Sequence, residues 1–263
     1  MANKLAIIAA LEREVSSFVK AWKMREREFS GQQFRFFERE QAVLVCGGIG
    51  AKSAAHATEA VIALYSPALI LSAGYAGAVD RSLRVGEVLR PSRVIDAKGA
   101  AVADIPGAPR AILVSDVTIA DAAQKARLSS AYGAVAVDME AAAVARVAQA
   151  QGIAFDAVKV ISDEYGAKLP KMDRFVATNG RFRTAAFTSH VAVRPWLWGS
   201  VMQLAKNSAK ASEILARELG KFVAQMGAAP ESYESDICPD KIGNSEQLVH
   251  PKVTSQTMEV VRK

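Results

Sequence analysis

Residues 135–163 read as strand, helix, strand, and each strand ends at a carboxylate. Val135 to Val137 close an apolar strand, and Met139-Glu140 stand where it gives way to the Ala-rich helix of Ala136-Val-Asp-Met-Glu-Ala-Ala-Ala-Val144. Gln151-Gly152 ends that helix, and Ala154 to Ile161 form a second apolar strand that delivers Ser162-Asp163 at its carboxyl end. In α/β sheets, ligands bind outside the carboxyl ends of the strands. Glu140 and Asp163 are therefore expected at one functional edge.

The remaining chain repeats the arrangement. Leu5 to Ala10 is a buried strand, and Leu11-Glu12-Arg13-Glu14-Val15 turns into a helix that runs to about Met24. Glu12 and Glu14 both suit the first helical turn, where the helix dipole favours negative charge. Glu12, at the mouth of the strand, is the candidate general base. Phe34 to Glu40 and Gln41 to Cys46 resemble an antiparallel pair. Gly47-Gly48-Ile49-Gly50 then leads into a helix over Ala51 to Tyr65; Gly48 and Gly50 could offer N–H groups to an anion or to sugar hydroxyls. The spacing matches neither a dinucleotide fingerprint nor a phosphate-binding loop. Ala68 to Ser72 is the next strand, followed by a small-residue turn, Ala73-Gly74-Tyr75-Ala76-Gly77-Ala78. Further strands fall at Val85 to Leu89, Arg93 to Asp96 and Ala111 to Val114, and a short polar helix at Asp121 to Ser130. Four strand-end loops, two of them carrying carboxylates, could converge on one pocket.

Beyond Asp163 the chain changes character. Lys168, Lys171, Arg174, Arg181, Arg183 and Arg194 stand against the single Asp173, either as a solvated face or as a lid over an anionic substrate. Trp196 to Leu204 is apolar and continues into an amphipathic helix through about Met226, with Trp196 and Trp198 suited to packing or to a subunit contact. From Gly227 onward the sequence is polar and lacks a sustained period, so residues 1–226 are expected to form one domain and 227–263 a loosely held tail.

Composition narrows the class of function. A chain of 263 residues, 51% of them hydrophobic, can bury a substantial core. No apolar run approaches the ~18 residues of a membrane-spanning helix. The short apolar N-terminal run leads straight into Glu12-Arg13-Glu14, unlike a signal peptide. Cys46 and Cys238 lie far apart and the three histidines do not cluster, so no metal site or disulfide framework is expected and a reducing cytoplasm is. A net charge of +6 without an aromatic-basic motif argues little for nucleic acid.

The ordered motifs resemble the nucleoside phosphorylase/nucleosidase superfamily. Ile7-Ile-Ala-Ala-Leu-Glu-Arg-Glu-Val15 is similar to the first strand and loop of the methylthioadenosine/S-adenosylhomocysteine nucleosidases. Gly47-Gly-Ile-Gly50, Ala73-Gly-Tyr-Ala-Gly77, Leu83-Arg-Val-Gly-Glu87, Val137-Asp-Met-Glu-Ala141 and Val160-Ile-Ser-Asp163 follow in the family's order. The resemblance implies a three-layer αβα sandwich around a mixed sheet and cleavage of the N-glycosidic bond of an adenosine-type nucleoside. It implies that Glu140 accepts ribose hydroxyls, that Met139 packs beneath the sugar and that Asp163, oriented by Ser162, protonates purine N7. Protonating the leaving group calls for a carboxyl that is protonated near neutral pH, through burial or a neighbouring carboxylate. Glu12 would activate water, and Thr118-Ile119 would read the adenine edge. Gly74 and Tyr75 fall in a substrate-binding turn, although Tyr75 stands where the nucleosidases commonly carry a smaller hydroxyl residue. The base-stacking aromatic has no matching position; Phe175 is close but out of register.

The long segment from Lys168 through Trp198 is more similar to the hopanoid-associated phosphorylase branch, thought to act on an adenosyl group carried by an apolar lipid. Trp196, Leu197 and Trp198 would then line the tail, and peripheral contact with lipid follows. Hydrolysis is favoured over phosphorolysis because Glu12 would take a proton from water yet repel phosphate. No cofactor is expected. Inorganic phosphate would enter only as the co-substrate of a phosphorylase, held by Arg13 or Arg84. A homodimer or higher oligomer is the family expectation. The rival readings are a non-catalytic nucleoside-binding module and an RNA-associated basic protein. Glycosidic cleavage requires Glu12, Glu140 and Asp163 to share one cavity.

Overall fold

The computed structural model describes residues 4–98, 101–167, 169–170, 172–177 and 180–228. The strand Leu5–Ala9 (β1) is buried at every position, and the helix Glu12–Val19 (α1) follows it. Next comes a meander of Lys23–Phe29 (β2), Gln32–Arg39 (β3) and Ala42–Cys46 (β4), then the helix Ala51–Tyr65 (α2) and the ten-residue strand Leu69–Ala78 (β5). Short strands occupy Val88–Leu89 (β6), Arg93–Asp96 (β7), Ala101–Asp104 (β8) and Ile112–Ser115 (β9). The helix Ala122–Tyr132 (α3), capped by the Asp121 carboxylate on the Gln124 N–H, precedes Ala136–Asp138 (β10), Ala141–Ala150 (α4) and Ala154–Asp163 (β11). Thr184–Ala192 (α5) and the 31-residue helix Trp198–Ala228 (α6) complete the described chain. The expected tail lies, from residue 229, outside the described residues, as do Lys168 and Lys171 of the basic segment.

The strands form one mixed sheet in the order β2-β3-β4-β1-β5-β10-β9-β7-β8, with β11 paired along β5 and β6 paired to β11. Because strand side chains alternate, β1 feeds two cores. Leu5, Ile7 and Ala9 pack with Val15 of α1 and with Leu215 and Leu219 of α6. Ala6 and Ile8 pack with Ala54 and Ala57 of α2 and with Val144 and Ala148 of α4. Helices therefore cover both faces, and the three-layer αβα class expected from the sequence is the observed one.

Two expectations fail for physical reasons. The first helix stops at Val19 rather than near Met24, and Lys23–Phe29 forms an exposed edge strand whose alternating charges pair across to β3, as in Arg25–Glu38 at 3.0 Å. With no apolar face, that strand has no hydrophobic period to reveal it. The small-residue segment at 73–78 is strand rather than turn, because β11 pairs with β5 in parallel as far as Gly77.

A buried ion pair ties the sheet together at its centre. Lys159 Nζ of β11 lies 2.8 Å from Asp138 Oδ2 of β10, with both side chains essentially inaccessible. Lys159 also donates to Ser72 Oγ of β5 at 3.1 Å, and Ser115 Oγ of β9 donates to Asp138 Oδ1 at 2.5 Å. The Ala141 N–H, at the start of α4, donates to Asp138 Oδ2 at 2.9 Å. Removing one partner of such a pair strands a buried charge. Lys159→Met is expected to lower unfolding free energy by about 3–5 kcal/mol, read as a lower urea midpoint at unchanged slope.

Candidate active site

The carboxyl ends of β1, β5, β10 and β11 open onto one cavity of about 660 Å³, within the roughly 300–1,000 Å³ of small-molecule sites. The end of β11 and the starts of the helices supply its polar wall: Ser162 and Asp163 from β11, Glu14 from α1, Glu140 just before α4 and Lys125 from α3. The following segments supply an apolar wall, with Leu169, Met172, Phe182, Phe187, Val201 and Leu204.

Asp163 is held from two sides. Lys125 Nζ donates to Oδ2 at 2.6 Å and Ser162 Oγ donates to Oδ1 at 3.0 Å. Lys125 is itself 2% exposed and also donates to the Glu164 carbonyl at 3.1 Å. The neighbour of the candidate acid is thus a cation and not a second carboxylate. Lys125 sits in the first turn of α3 in a polar stretch, where it reads as a solvated residue, and only the fold brings it to Asp163 at the end of β11.

Glu140 accepts from the Gly50 N–H at 2.8 Å through Oε1 and from the Met139 N–H at 3.3 Å through Oε2. Burial, reinforced by the Asp138 charge, pushes its carboxyl up to about 7. Glu14 is 5% exposed, and its Oε2 is buried without a hydrogen-bond partner among the described residues. Burial first, and the Glu140 charge second, push the Glu14 carboxyl up to about 8.

The glycines of β5 are required by these acids. A Cβ at Gly74 would stand 2.9 Å from Glu14 Oε2, and one at Gly77 would stand 2.8 Å from Asp163 Oδ2. Only a residue without a side chain lets a carboxylate lie this close over the strand.

Three sequence expectations are corrected. Glu12 is not in this cavity: it pairs with Arg35 at 2.7 Å and walls a neighbouring cavity beside Gln33, Arg35 and Cys46. Glu12 and Glu14 lie roughly 200° apart on α1, so one faces the strand ends and the other faces β3. Gly48 lines that neighbouring cavity, and its N–H is taken by the Ala10 carbonyl at 2.9 Å. Gly50 acts only through Glu140. The other amides of the loop are also committed, Gly47 to the Ala9 carbonyl and Ile49 to the Gly180 carbonyl, so the loop has no N–H to spare for a phosphate.

Met139, Glu140, Ser162, Asp163, Thr118, Ile119, Gly74 and Tyr75 do line the shared cavity. Tyr75 turns its hydroxyl to the Ser208 carbonyl at 2.9 Å, which ties β5 to α6. Arg13 reaches the cavity and lies over the Phe182 ring at 5.3 Å, whereas Arg84 bonds its own loop carbonyls. The aromatic side chains come from Phe182 and Phe187; Phe175 is buried behind them against Phe187. Trp196 and Trp198 are not among the lining residues, and their expected role passes to Val201 and Leu204 one turn further on. The described residues hold no cluster of metal-ligating side chains.

Comparison with known proteins follows the same outline. A 5′-methylthioadenosine/S-adenosylhomocysteine nucleosidase of Marinomonas sp. is 27% identical over 205 residues, 64% of this chain and 88% of that protein. Its counterpart in Geobacillus thermodenitrificans is 29% identical over 202 residues, 62% of this chain and 85% of that protein. Among solved structures, a mutant of the Helicobacter pylori nucleosidase with 5′-methylthioadenosine in its active site superposes with a TM-score of 0.65 at 16% identity, covering 86% of this chain and all of that one. The futalosine hydrolase of the same organism gives 0.62 at 17% identity over 86% of this chain and 99% of that one. A family model described as the phosphorylase superfamily matches residues 4–111 and 108–192, and the chain belongs to that superfamily.

Proposed function

We propose that this protein is a purine nucleosidase that hydrolyses the N-glycosidic bond of a 5′-substituted adenosine. The observation that carries this reading is the set of three carboxylates on one cavity wall, each in a different environment. The names of the sequence relatives support the same chemistry. Asp163 delivers the proton to purine N7 as the bond breaks, and Lys125 and Ser162 hold its carboxyl in place. Glu140, fixed by the Gly50 and Met139 amides, accepts hydrogen bonds from the ribose hydroxyls. Met139 packs beneath the sugar as a soft apolar surface. Glu14, in the role expected of Glu12, takes a proton from the attacking water. Its buried, unpartnered oxygen and its raised affinity for protons suit a base.

Water is favoured as the nucleophile because the glycine loop has no free amide for phosphate and because Glu14 and Glu140 place carboxyl groups on the same cavity wall. Arg13 is the feature that favours phosphorolysis. The apolar wall from Leu169 to Leu204 supports a hydrophobic 5′ substituent, with an adenosyl group on a lipid as its extreme form.

Adenine release from methylthioadenosine, S-adenosylhomocysteine, adenosine and a 5′-alkyl adenosine, each with and without phosphate, decides the nucleophile. Equal rates without phosphate are expected, and strict phosphate dependence would overturn hydrolysis. Binding of substrate without turnover by the native chain would leave only a nucleoside-binding module.

Asp163→Asn is expected to lower kcat by on the order of 100-fold or more with KM little changed. Lys125→Met should lower kcat in the same direction, since it removes the cation that fixes the acid.

Glu14 sets a pH dependence of unusual sign. The unfolded chain releases this proton near the ordinary 4.5, whereas the folded chain keeps it up to about 8. Between those values the native state binds more protons, so the contribution of this group to stability falls as pH rises. Glu14→Gln should therefore be more stable than the native chain at pH ~9, by a few kcal/mol, with the difference vanishing below the unfolded value. In the native chain kcat/KM should climb towards pH ~8 as the base gives up its proton, and in Glu14→Gln that limb should be lost together with turnover.

A further inference from the structure

The outer side of the apolar wall is itself apolar and uncovered. From Arg181 to Lys210 no residue is buried, although the stretch contains α5, the turn Pro195–Leu197 and the first third of α6. Trp196 is 75% exposed, Val193 69%, Met202 59% and Trp198 55%. Trp198, Met202 and Lys206 follow at intervals of four along α6, one stripe of the helix, while Val201, Leu204 and Ser208 turn towards the cavity. The stripe is anchored rather than loose, because Trp198 Nε1 donates to the Val191 carbonyl of α5 at 3.0 Å.

Charge selects the partner. Between Arg174 and Ser212 the sequence contains Arg174, Arg181, Arg183, Arg194, Lys206 and Lys210 and not one Asp or Glu. A twofold contact between copies would set this surface against itself, bringing together Arg194 and Lys206, which stand beside Val193, Trp196 and Met202 along the chain, with no Asp or Glu between residues 174 and 212. Nucleic acid would match the charge, yet it leaves four large apolar side chains at the centre of the patch without a partner. An anionic bilayer satisfies both features: tryptophans settle at the headgroup level, and lysine and arginine meet the surface charge. Among the described residues no helix is long and apolar enough to cross a membrane, so the contact is peripheral.

We infer that the face formed by Val193, Trp196, Trp198 and Met202 docks this protein on an anionic lipid surface. The same short segments present their other side to the cavity through Phe187, Val201 and Leu204. Docking therefore brings the apolar wall of the site next to the bilayer, where a nucleoside with an apolar 5′ substituent would reside. That last consequence rests on the proposed function; the docking itself does not.

The full chain is tested for co-sedimentation with vesicles of phosphatidylcholine alone and of equimolar phosphatidylcholine and phosphatidylglycerol. Sedimentation with the mixed vesicles, weakened by salt, is expected. The double variant Trp196→Ala/Trp198→Ala should bind roughly tenfold or more weakly, since each indole loses its apolar burial. Lys206→Glu should bind mixed vesicles less well while matching the native chain on neutral ones. Adenine release from methylthioadenosine in solution should be unchanged in all three chains, which shows that they are folded. Failure of either variant to weaken binding, or no sedimentation with either vesicle, overturns the inference. So does a dimer in sedimentation velocity that the double variant abolishes, or tighter retention on single-stranded RNA than on vesicles. Vesicle binding by a chain that releases no adenine would leave the docking surface standing and remove the nucleosidase reading.

Discussion

The arrangement of the site depends on the buried contact between Lys159 and Asp138. Four strands contribute to it: β11 supplies the cation, β10 the anion, and β5 and β9 the hydroxyls of Ser72 and Ser115 that satisfy them. A charge pair this deep stabilises only when its remaining hydrogen-bonding capacity is met. Here it is met, partly by the Ala141 N–H at the start of α4. Met139 and Glu140 lie between Asp138 and Ala141, so the network fixes both ends of the two residues that face the cavity. The interaction that closes the core also aims the Glu140 carboxylate at the cavity.

Placing three carboxylates on one wall is costly, and the structure distributes that cost. Asp163 is answered by Lys125, Glu140 by two backbone amides, and Glu14 by none of the described residues at one of its oxygens. Burial and the Glu140 charge push the Glu14 carboxyl up to about 8. Gly74 and Gly77 permit the crowding, since any side chain on β5 at those positions would occupy the space of a carboxylate oxygen.

The two walls of the cavity differ in stability as well as polarity. The strand-end wall grows out of the sheet, where Leu71, Val158 and Val160 are fully packed. The opposite wall comes from a segment without a single buried residue between Arg181 and Lys210. Few buried apolar contacts mean a low local unfolding free energy. The second half of α6 is the anchor: Ala211, Leu215 and Leu219 are fully buried against α1 and the sheet. A firmly packed polar edge therefore faces a weakly held apolar cover.

Much of this was legible along the chain. Hydrophobic runs of strand length, an Ala-rich crossover helix and glycine turns specify an α/β layer structure, because burial on both faces of a sheet leaves no other pattern. Glu140 and Asp163 could be singled out since each follows a strand end, although β10 runs antiparallel to β5 and β11 parallel to it, so the sheet and not the strand direction brings the two acids together. The neighbouring expectations failed where local pattern is degenerate. Glu14 joins Val15 and Val19 on the buried side of α1, whereas Glu12 turns away to Arg35 on β3, a partner that lies 23 residues on in the chain. Lys125 has no distinguishing neighbours in sequence and becomes a partner of Asp163 across 38 residues. Strand β2 has no apolar face, and the Gly47 to Gly50 amides look free until Ala9, Ala10, Gly180 and Glu140 take them. The sequence by itself determined the layers and the edge at which the acids emerge, because periodicity and burial are properties of short segments. The tertiary structure alone decided which carboxylates share the cavity, which cation holds Asp163 and which aromatic side chains line it, because those depend on side chains that meet only after distant segments pack.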